Sequence, residues 1–117
     1  MLSKVIKVLD KAGVTNQSYL FGSYLSSPLE ASDIDVMLDF TNMSQAEASV
    51  ALQTINRELK SSRYTFEAYN TISNHKKIEL PFGCDFLVIT RRDSLRQFRN
   101  KSPNSVELAL FKSNNLH

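Results

Sequence analysis

An alternating run of eight residues, DIDVMLDF at positions 33–40, constrains the fold of this chain more than any other feature. Its even positions are all apolar, and three of its four odd positions are aspartate: Asp33, Asp35 and Asp39. A strict period of two predicts a β-strand with one apolar face, because successive side chains of a strand point to opposite sides. The aspartates share the other face, where Asp33 and Asp35 stand about 6.5 Å apart along the strand and repel each other.

The rest of the sequence predicts a few helices and strands around this one. A capping box of Ser44 and Glu47 marks the start of one helix. Helices are predicted over 3–12, about 45–60, from Asp93 onward and over 106–111. Further strands are predicted at 18–21, 64–69 and 84–89, and residues 70–82 fit either a short strand at 77–80 or a loop. This order predicts an α+β fold, with helices flanking a mixed or antiparallel sheet of four to five strands.

Length and composition predict a single domain over residues 1–117. A chain of 117 residues supports one core, and 42% apolar with 22% charged residues is typical of a folded globular domain. The single cysteine, Cys84, cannot form an internal disulfide, and no signal-peptide pattern or run of about 20 apolar residues occurs. We therefore expect a cytoplasmic protein without membrane contact. The net charge of +2 is too small by itself to predict nucleic-acid binding.

A bound cation would explain the acidic face of the 33–40 strand. Mg²⁺ takes one or two carboxylates and leaves positions for water and substrate phosphate, and two such ions can stabilise a phosphoryl displacement. Asp85 offers a third carboxylate, because it is the one acid in the apolar run 84–89, whereas Glu67 is a weaker candidate. The pattern indicates metal ligation by Asp33, Asp35 and Asp85. The alternative is a strand whose acids simply face water, and Asp39 on the same face favours it.

The dipeptide Gly22-Ser23 lies between the 18–21 strand and the acidic strand. Glycine allows a tight turn and a close backbone approach to phosphate, and N–H groups with the Ser23 hydroxyl can donate to phosphate oxygens. The sequence has neither the GK[ST] ending of a P-loop nor a GxGxxG motif. An ordinary turn explains the dipeptide alone. Its place directly before the Asp-x-Asp strand favours a phosphate site.

Gly22-Ser23, Asp33-x-Asp35 and the later Asp85 form a pattern that resembles the DNA polymerase β nucleotidyltransferase superfamily, and the chain is similar to its minimal nucleotidyltransferases. The resemblance covers roughly residues 2–90. It implies a polymerase β-like fold, a nucleoside triphosphate substrate, two Mg²⁺ ions, and transfer of a nucleoside monophosphate with release of pyrophosphate. Gly22 and Ser23 would bind the triphosphate and Asp33 and Asp35 the metal. Asp85 would bind the catalytic ion and help to deprotonate the acceptor hydroxyl.

The residues that follow Ser23 differ from the pattern of that family. Many minimal members have a basic residue two positions after the serine and a glycine soon afterwards, whereas this chain reads YLSSP at 24–28. The resemblance implies transfer of AMP or another NMP to a hydroxyl of a protein or other acceptor, in the manner of antitoxins that modify a toxin partner. The alternative is a catalytically weak module of the same fold that binds a partner protein or a nucleotide.

Positive charge is concentrated between Arg91 and Lys101, where five basic residues accompany one acid, Asp93. A solvated helix face is the simplest interpretation. The functional interpretation is that Arg91 or Arg92, which follow the strand of Asp85, neutralise substrate phosphate. Nucleic acid is a minor candidate partner, because aromatic residues do not alternate with these charges as stacking platforms would.

Overall fold

The computed structural model describes residues 2–31, 33–59, 62–66, 71–75 and 83–115 of the chain. The helices are α1 (Leu2–Ala12), α2 (Ser23–Ser26), α3 (Gln45–Glu58), α4 (Arg92–Lys101) and α5 (Leu108–Asn115), and a 3₁₀ turn spans Thr15–Gln17. The strands are β1 (Ser18–Phe21), β2 (Asp33–Asp39), β3 (Ser62–Phe66), β4 (Thr71–His75), β5 (Gly83–Ile89) and β6 (Val106–Glu107). The predicted α+β class is confirmed. None of the described helices has the length and apolar character needed to cross a membrane.

The strands form one mixed sheet in the order β4-β3-β5-β2-β1-β6. The central strands β2, β5 and β3 are parallel, whereas β1, β4 and β6 each pair antiparallel with a neighbour. The sheet therefore has six described strands rather than the four to five predicted. One of them, β4, falls at 71–75, before the strand considered at 77–80, which lies outside the described residues.

Two predicted boundaries differ from the structure. The helix expected over 106–111 starts only at Leu108. Val106 and Glu107 instead pair with β1 and add a short strand to that edge of the sheet. The helix expected from Asp93 is preceded by Arg91 as its N-terminal cap residue, and Asp93 lies in the first turn. The helix predicted over about 45–60 is confirmed as α3, including its capping box. The strand predicted over 64–69 is described only as far as Phe66.

The sheet has a core on each face, and the parity of the residue number decides which face a central side chain joins. Even positions of β2 and β5 pack with α1 and α3 in the larger core. The odd positions Met37, Leu87 and Ile89 pack under Leu95 and Phe98 of α4. The face that carries the aspartates is thus partly covered by a basic helix.

Asp10 connects the two terminal helices of the larger core. Its carboxylate accepts a hydrogen bond from the Thr15 hydroxyl and pairs with Lys112 of α5, whose Nζ lies 3.0 Å from it. The Thr15 hydrogen bond, with the Lys112 ammonium in addition, holds the pKa of Asp10 below its ordinary value of 3.8. Because the folded pKa is depressed, this contribution to stability is present above the unfolded pKa and is lost as the pH falls through the folded pKa.

We expect Asp10→Asn to lower the free energy of unfolding at pH 7 by about 0.5–1 kcal/mol, since the amide oxygen still accepts from Thr15 but the half-exposed ion pair is lost. Urea titrations from pH 7 to pH 2.5 should show the difference from the wild type shrinking below pH 4. A difference that stays constant down to pH 2.5 would contradict an electrostatic origin.

Candidate active site

The parallel pairing of β2 with β5 brings two of the predicted metal ligands side by side. In this register Asp35 lies opposite Asp85, and Asp33 lies opposite Gly83. Adjacent strands are about 4.8 Å apart and residues two apart on a strand about 6.5 Å, so three carboxylates occupy a small area on one face. All three side chains are half-buried. The structure therefore places Asp33, Asp35 and Asp85 together, near the amino ends of their strands.

The negative charge of this area affects the buried thiol of Cys84. Burial raises the pKa of Cys84 well above its ordinary value, and the charges of Asp85, Asp35 and Asp33 raise it further. Cys84 belongs to the larger core on the opposite face of the sheet. Its thiol is therefore a neutral packing group and not a nucleophile.

The three aspartates suit a hard divalent cation by ligand type, because Mg²⁺ prefers carboxylate oxygens and is bound by one or two of them together with substrate phosphate. Their position on one face, beside a backbone turn, also suits a shared ion. Within the described part of the chain, however, no three His, Cys, Asp or Glu side chains are arranged as a ready group of metal ligands. The residues fit Mg²⁺ by ligand type and lie on one face of the sheet, but their side chains do not form a ready metal-binding group.

The Gly22-Ser23 turn lies directly against Asp35. Gly22 has a positive φ of 79°, and a Cβ at this position would overlap the Asp35 carboxylate, with the Asp35 Cγ only 3.1 Å and Cβ 3.2 Å away. Ser23 is the first residue of the short helix α2, and both residues are exposed. The absence of a side chain at Gly22 is what allows the turn to approach the carboxylate. The backbone of a candidate phosphate site and a candidate metal ligand are therefore in contact.

Arg91 and Arg92 are not brought to the carboxylates. Asp85 is the third residue of β5, whereas Arg91 follows the opposite end of that strand and caps α4. The four residue steps from Asp85 to Ile89 alone span about 13 Å. Sequence proximity suggested a shared site, but the direction of the strand carries Arg91 and Arg92 away from it.

The opposite end of α4 returns to the glycine turn. The ring of Phe98 contacts that of Phe21 edge to face, with 4.9 Å between centroids, and Phe21 is the register partner of Asp35. Three residues later, Lys101 lines the same cavity as Gly22. A ten-residue helix rises about 15 Å, enough to recross the strand it follows. The sequence analysis predicted a start for this helix and no end, so the return of Lys101 to the glycine turn was not predicted.

Asp39, the third acid of the strand, has a different role. It lies at the far end of β2, opposite Ile89, and its Oδ1 accepts hydrogen bonds from the backbone N–H and the hydroxyl of Thr41, at 3.1 and 2.6 Å. These bonds order the turn that follows the strand. These hydrogen bonds account for an acid at position 39, so Asp39 is not evidence that Asp33 and Asp35 simply face water. Glu67, the weaker candidate ligand, lies outside the described residues.

Comparison with known proteins does not add a family to this geometry. No protein-family model, no curated protein and no solved structure matches the chain. The functional argument therefore depends on the residues of the site and on their arrangement.

We expect Gly22→Ala to destabilise the fold more than Gly13→Ala. Both glycines have a positive φ, 76° at Gly13 and 79° at Gly22, but a Cβ at Gly13 meets nothing within 4 Å. Gly13→Ala should cost about 1–2 kcal/mol, the cost of the left-handed backbone. Gly22→Ala adds an overlap with Asp35 and a backbone of φ 79° and ψ −162°, a region that essentially only glycine adopts, and we expect the two together to cost at least about 1 kcal/mol more.

Urea denaturation of both variants measures this difference. A double-mutant cycle of Gly22→Ala with Asp35→Ala should recover part of the additional cost, because removing the carboxylate leaves room for the new methyl group. Equal losses for the two glycine variants, or a cycle without coupling, would contradict the contact between Gly22 and Asp35.

Proposed function

We propose that this protein is a Mg²⁺-dependent nucleotidyltransferase that moves a nucleoside monophosphate, with AMP as the first candidate, from a nucleoside triphosphate to a hydroxyl group. The observation that supports this most strongly is the contact of the Gly22 backbone with Asp35, together with the pairing of Asp35 with Asp85. A turn with backbone donors next to a set of carboxylates suits a substrate that contacts both. A nucleoside triphosphate bound to Mg²⁺ would contact both, through its phosphate oxygens and through the metal.

The proposed reaction forms one bond and breaks another at the α-phosphorus. The oxygen of the acceptor hydroxyl attacks this phosphorus, the bond to the bridging oxygen of the β-phosphate breaks, and pyrophosphate leaves. The hydroxyl proton passes to the Asp85 carboxylate, which acts as the general base. Bound Mg²⁺ would supply Lewis-acid stabilisation of the charge on the phosphate oxygens.

The residues of the chain supply mainly position and electrostatics. Asp33, Asp35 and Asp85 would hold the metal, and the rigid pairing of their strands limits the reorganisation that a reacting complex needs. Gly22 and Ser23 would donate hydrogen bonds to phosphate oxygens from the backbone and from the Ser23 hydroxyl. Both residues are exposed, so a substrate can reach them.

The acceptor that we propose is a hydroxyl on another macromolecule, first of all a protein side chain. A protein acceptor would place the chain among antitoxin-type modifiers, with a toxin as the partner that receives the nucleotide. The alternative is a module that binds a nucleotide or a partner without turnover. It would give no Asp35-dependent covalent transfer, whereas the enzyme would.

Asp35→Asn tests this proposal, with Asp39→Asn as the matched control. Both changes remove one carboxylate charge from the same face of β2, but only Asp35 lies beside Gly22 and Asp85. With Mg²⁺, cell lysate and α-³²P-labelled ATP, we expect the wild type and Asp39→Asn to label a macromolecule. Asp35→Asn should reduce the rate by at least about a hundredfold, as loss of a preorganised electrostatic group does.

A parallel reaction with γ-³²P-labelled ATP identifies the group that moves. Nucleotidyl transfer leaves the γ-label in pyrophosphate, so wild type and Asp35→Asn should give the same background of γ-label from the kinases of the lysate. A γ-label on the macromolecule that depends on Asp35 would show phosphoryl transfer and overturn the proposed reaction. Binding of ATP without any Asp35-dependent α-label, with each of the four NTPs tested, would favour the binding module.

A further inference from the structure

A cavity of about 460 Å³ adjoins the glycine turn. One wall is formed by Gly22, Leu25 and Ser26, and the other by residues 101–106, which connect α4 to β6. Accepting the function proposed above, we propose that this cavity binds the nucleotide and that Lys101 contacts its phosphates. None of the three aspartates lines the cavity itself, but Gly22 borders both the cavity and the Asp35 carboxylate, so the phosphates of a nucleotide in the cavity would reach the aspartates by passing Gly22.

The first argument for Lys101 is charge. A triphosphate carries several negative charges, yet residues 22–31 contain no lysine or arginine and include Glu30. Positive charge for a triphosphate bound at this turn would therefore come from another part of the chain. Lys101 is the basic residue in the lining of the cavity that Gly22 borders. Lys101 would supply the positive charge that residues 22–31 lack.

The second argument is the position of α4. Leu95 and Phe98 are buried against the aspartate face, and Phe98 packs edge to face on Phe21. These contacts hold the end of the helix close to Gly22, and the backbone N–H of Ser102 bonds to the Phe98 carbonyl at 2.8 Å. The backbone of Lys101 is therefore positioned by the packing of α4 on the sheet and by the last hydrogen bond of the helix. Such support is what a phosphate-contacting residue requires.

The third argument is the chemistry of the walls. Leu25 and Val106 are apolar, while Ser26, Asn104 and Ser105 offer hydroxyl and amide groups. A volume of about 460 Å³ lies within the range of small-ligand sites, and a mostly apolar wall with a few polar groups suits a base and a ribose. A second cavity of about 480 Å³, between α3 and Val88, lies on the opposite face of the sheet and has no charged residue in its lining.

Lys101→Met and Lys101→Arg test the phosphate contact. The probe is α,β-methylene-ATP with Mg²⁺, measured by calorimetric titration of the full chain, with adenosine as a second probe. Lys101→Met should weaken binding of the triphosphate about tenfold or more, as expected for a charge-assisted hydrogen bond, and leave adenosine binding unchanged. Lys101→Arg should retain most of the affinity.

Arg96→Met is the charge control. Arg96 lies on the same helix, is exposed and pairs with Asp93 at 3.6 Å, so its removal changes the net charge equally without touching the cavity. Its affinity for the triphosphate should stay within about twofold of the wild type.

Ser26→Trp tests the cavity itself, and Ser49→Trp fills the second cavity as its control. Both serines are exposed, so neither change should lower the melting temperature. Ser26→Trp should abolish binding of triphosphate and of adenosine, because the indole occupies the space of the nucleoside. Ser49→Trp should bind both like the wild type.

The outcomes separate the two proposals. If the wild type transfers nucleotide in an Asp35-dependent way while Lys101→Met and Ser26→Trp bind normally, the cavity assignment is wrong and the proposed function stands. If Lys101→Met weakens adenosine as much as the triphosphate, the phosphate contact is wrong. If the wild type binds neither probe in the presence of Mg²⁺, the cavity assignment is wrong, and if it also gives no Asp35-dependent α-label, the proposed function is wrong as well.

Discussion

The parallel pairing of β2 with β5 is the contact on which the rest of the structure depends. These two strands are the centre of the sheet, and their even positions build the larger core while their odd positions receive α4. The same register sets Asp35 opposite Asp85. A shift of one residue would turn every side chain of one strand to the other face, so the apolar packing that fixes the register also fixes the carboxylates. Core formation therefore assembles the candidate site, and the packing free energy must offset the mutual repulsion of its three carboxylates.

A second consequence of this pairing is the arrangement of charge. Three half-buried carboxylates lie near the amino ends of the two strands, and a helix with four basic residues crosses the same face. The last turn of that helix carries Arg99 and Lys101, and Lys101 lines the cavity that Gly22 borders. The contact between Gly22 and Asp35 then brings backbone donors to the acids. The donors, the acids of β2 and β5, and the cation come from four separate segments, which the sheet and α4 hold together.

Much of the fold could be predicted, because its strongest signals are local. The alternation at 33–40, the capping box at Ser44 and the apolar spacing of α1 each specify an element without reference to distant residues. The start of α5 could not be predicted in this way, since Val106 and Glu107 pair with β1 only because β1 has an open edge. For the same reason Arg91 and Arg92 were natural candidates for the site: closeness to Asp85 in sequence is visible, whereas the direction in which a strand leaves the site is not.

The sequence by itself determined the chemical groups of the site: Gly22-Ser23, the Asp-x-Asp strand and the isolated Asp85, each placed by a short-range pattern of apolar residues. The tertiary structure decided which of these groups meet. It places Asp85 beside Asp35 and Gly22 next to the Asp35 carboxylate. The basic residue that lines the cavity at the glycine turn is Lys101 and not Arg91 or Arg92. The physical reason is that side-chain alternation and capping are local properties of a chain, whereas the pairing of strands and the return of a helix across a sheet depend on packing between residues far apart in sequence.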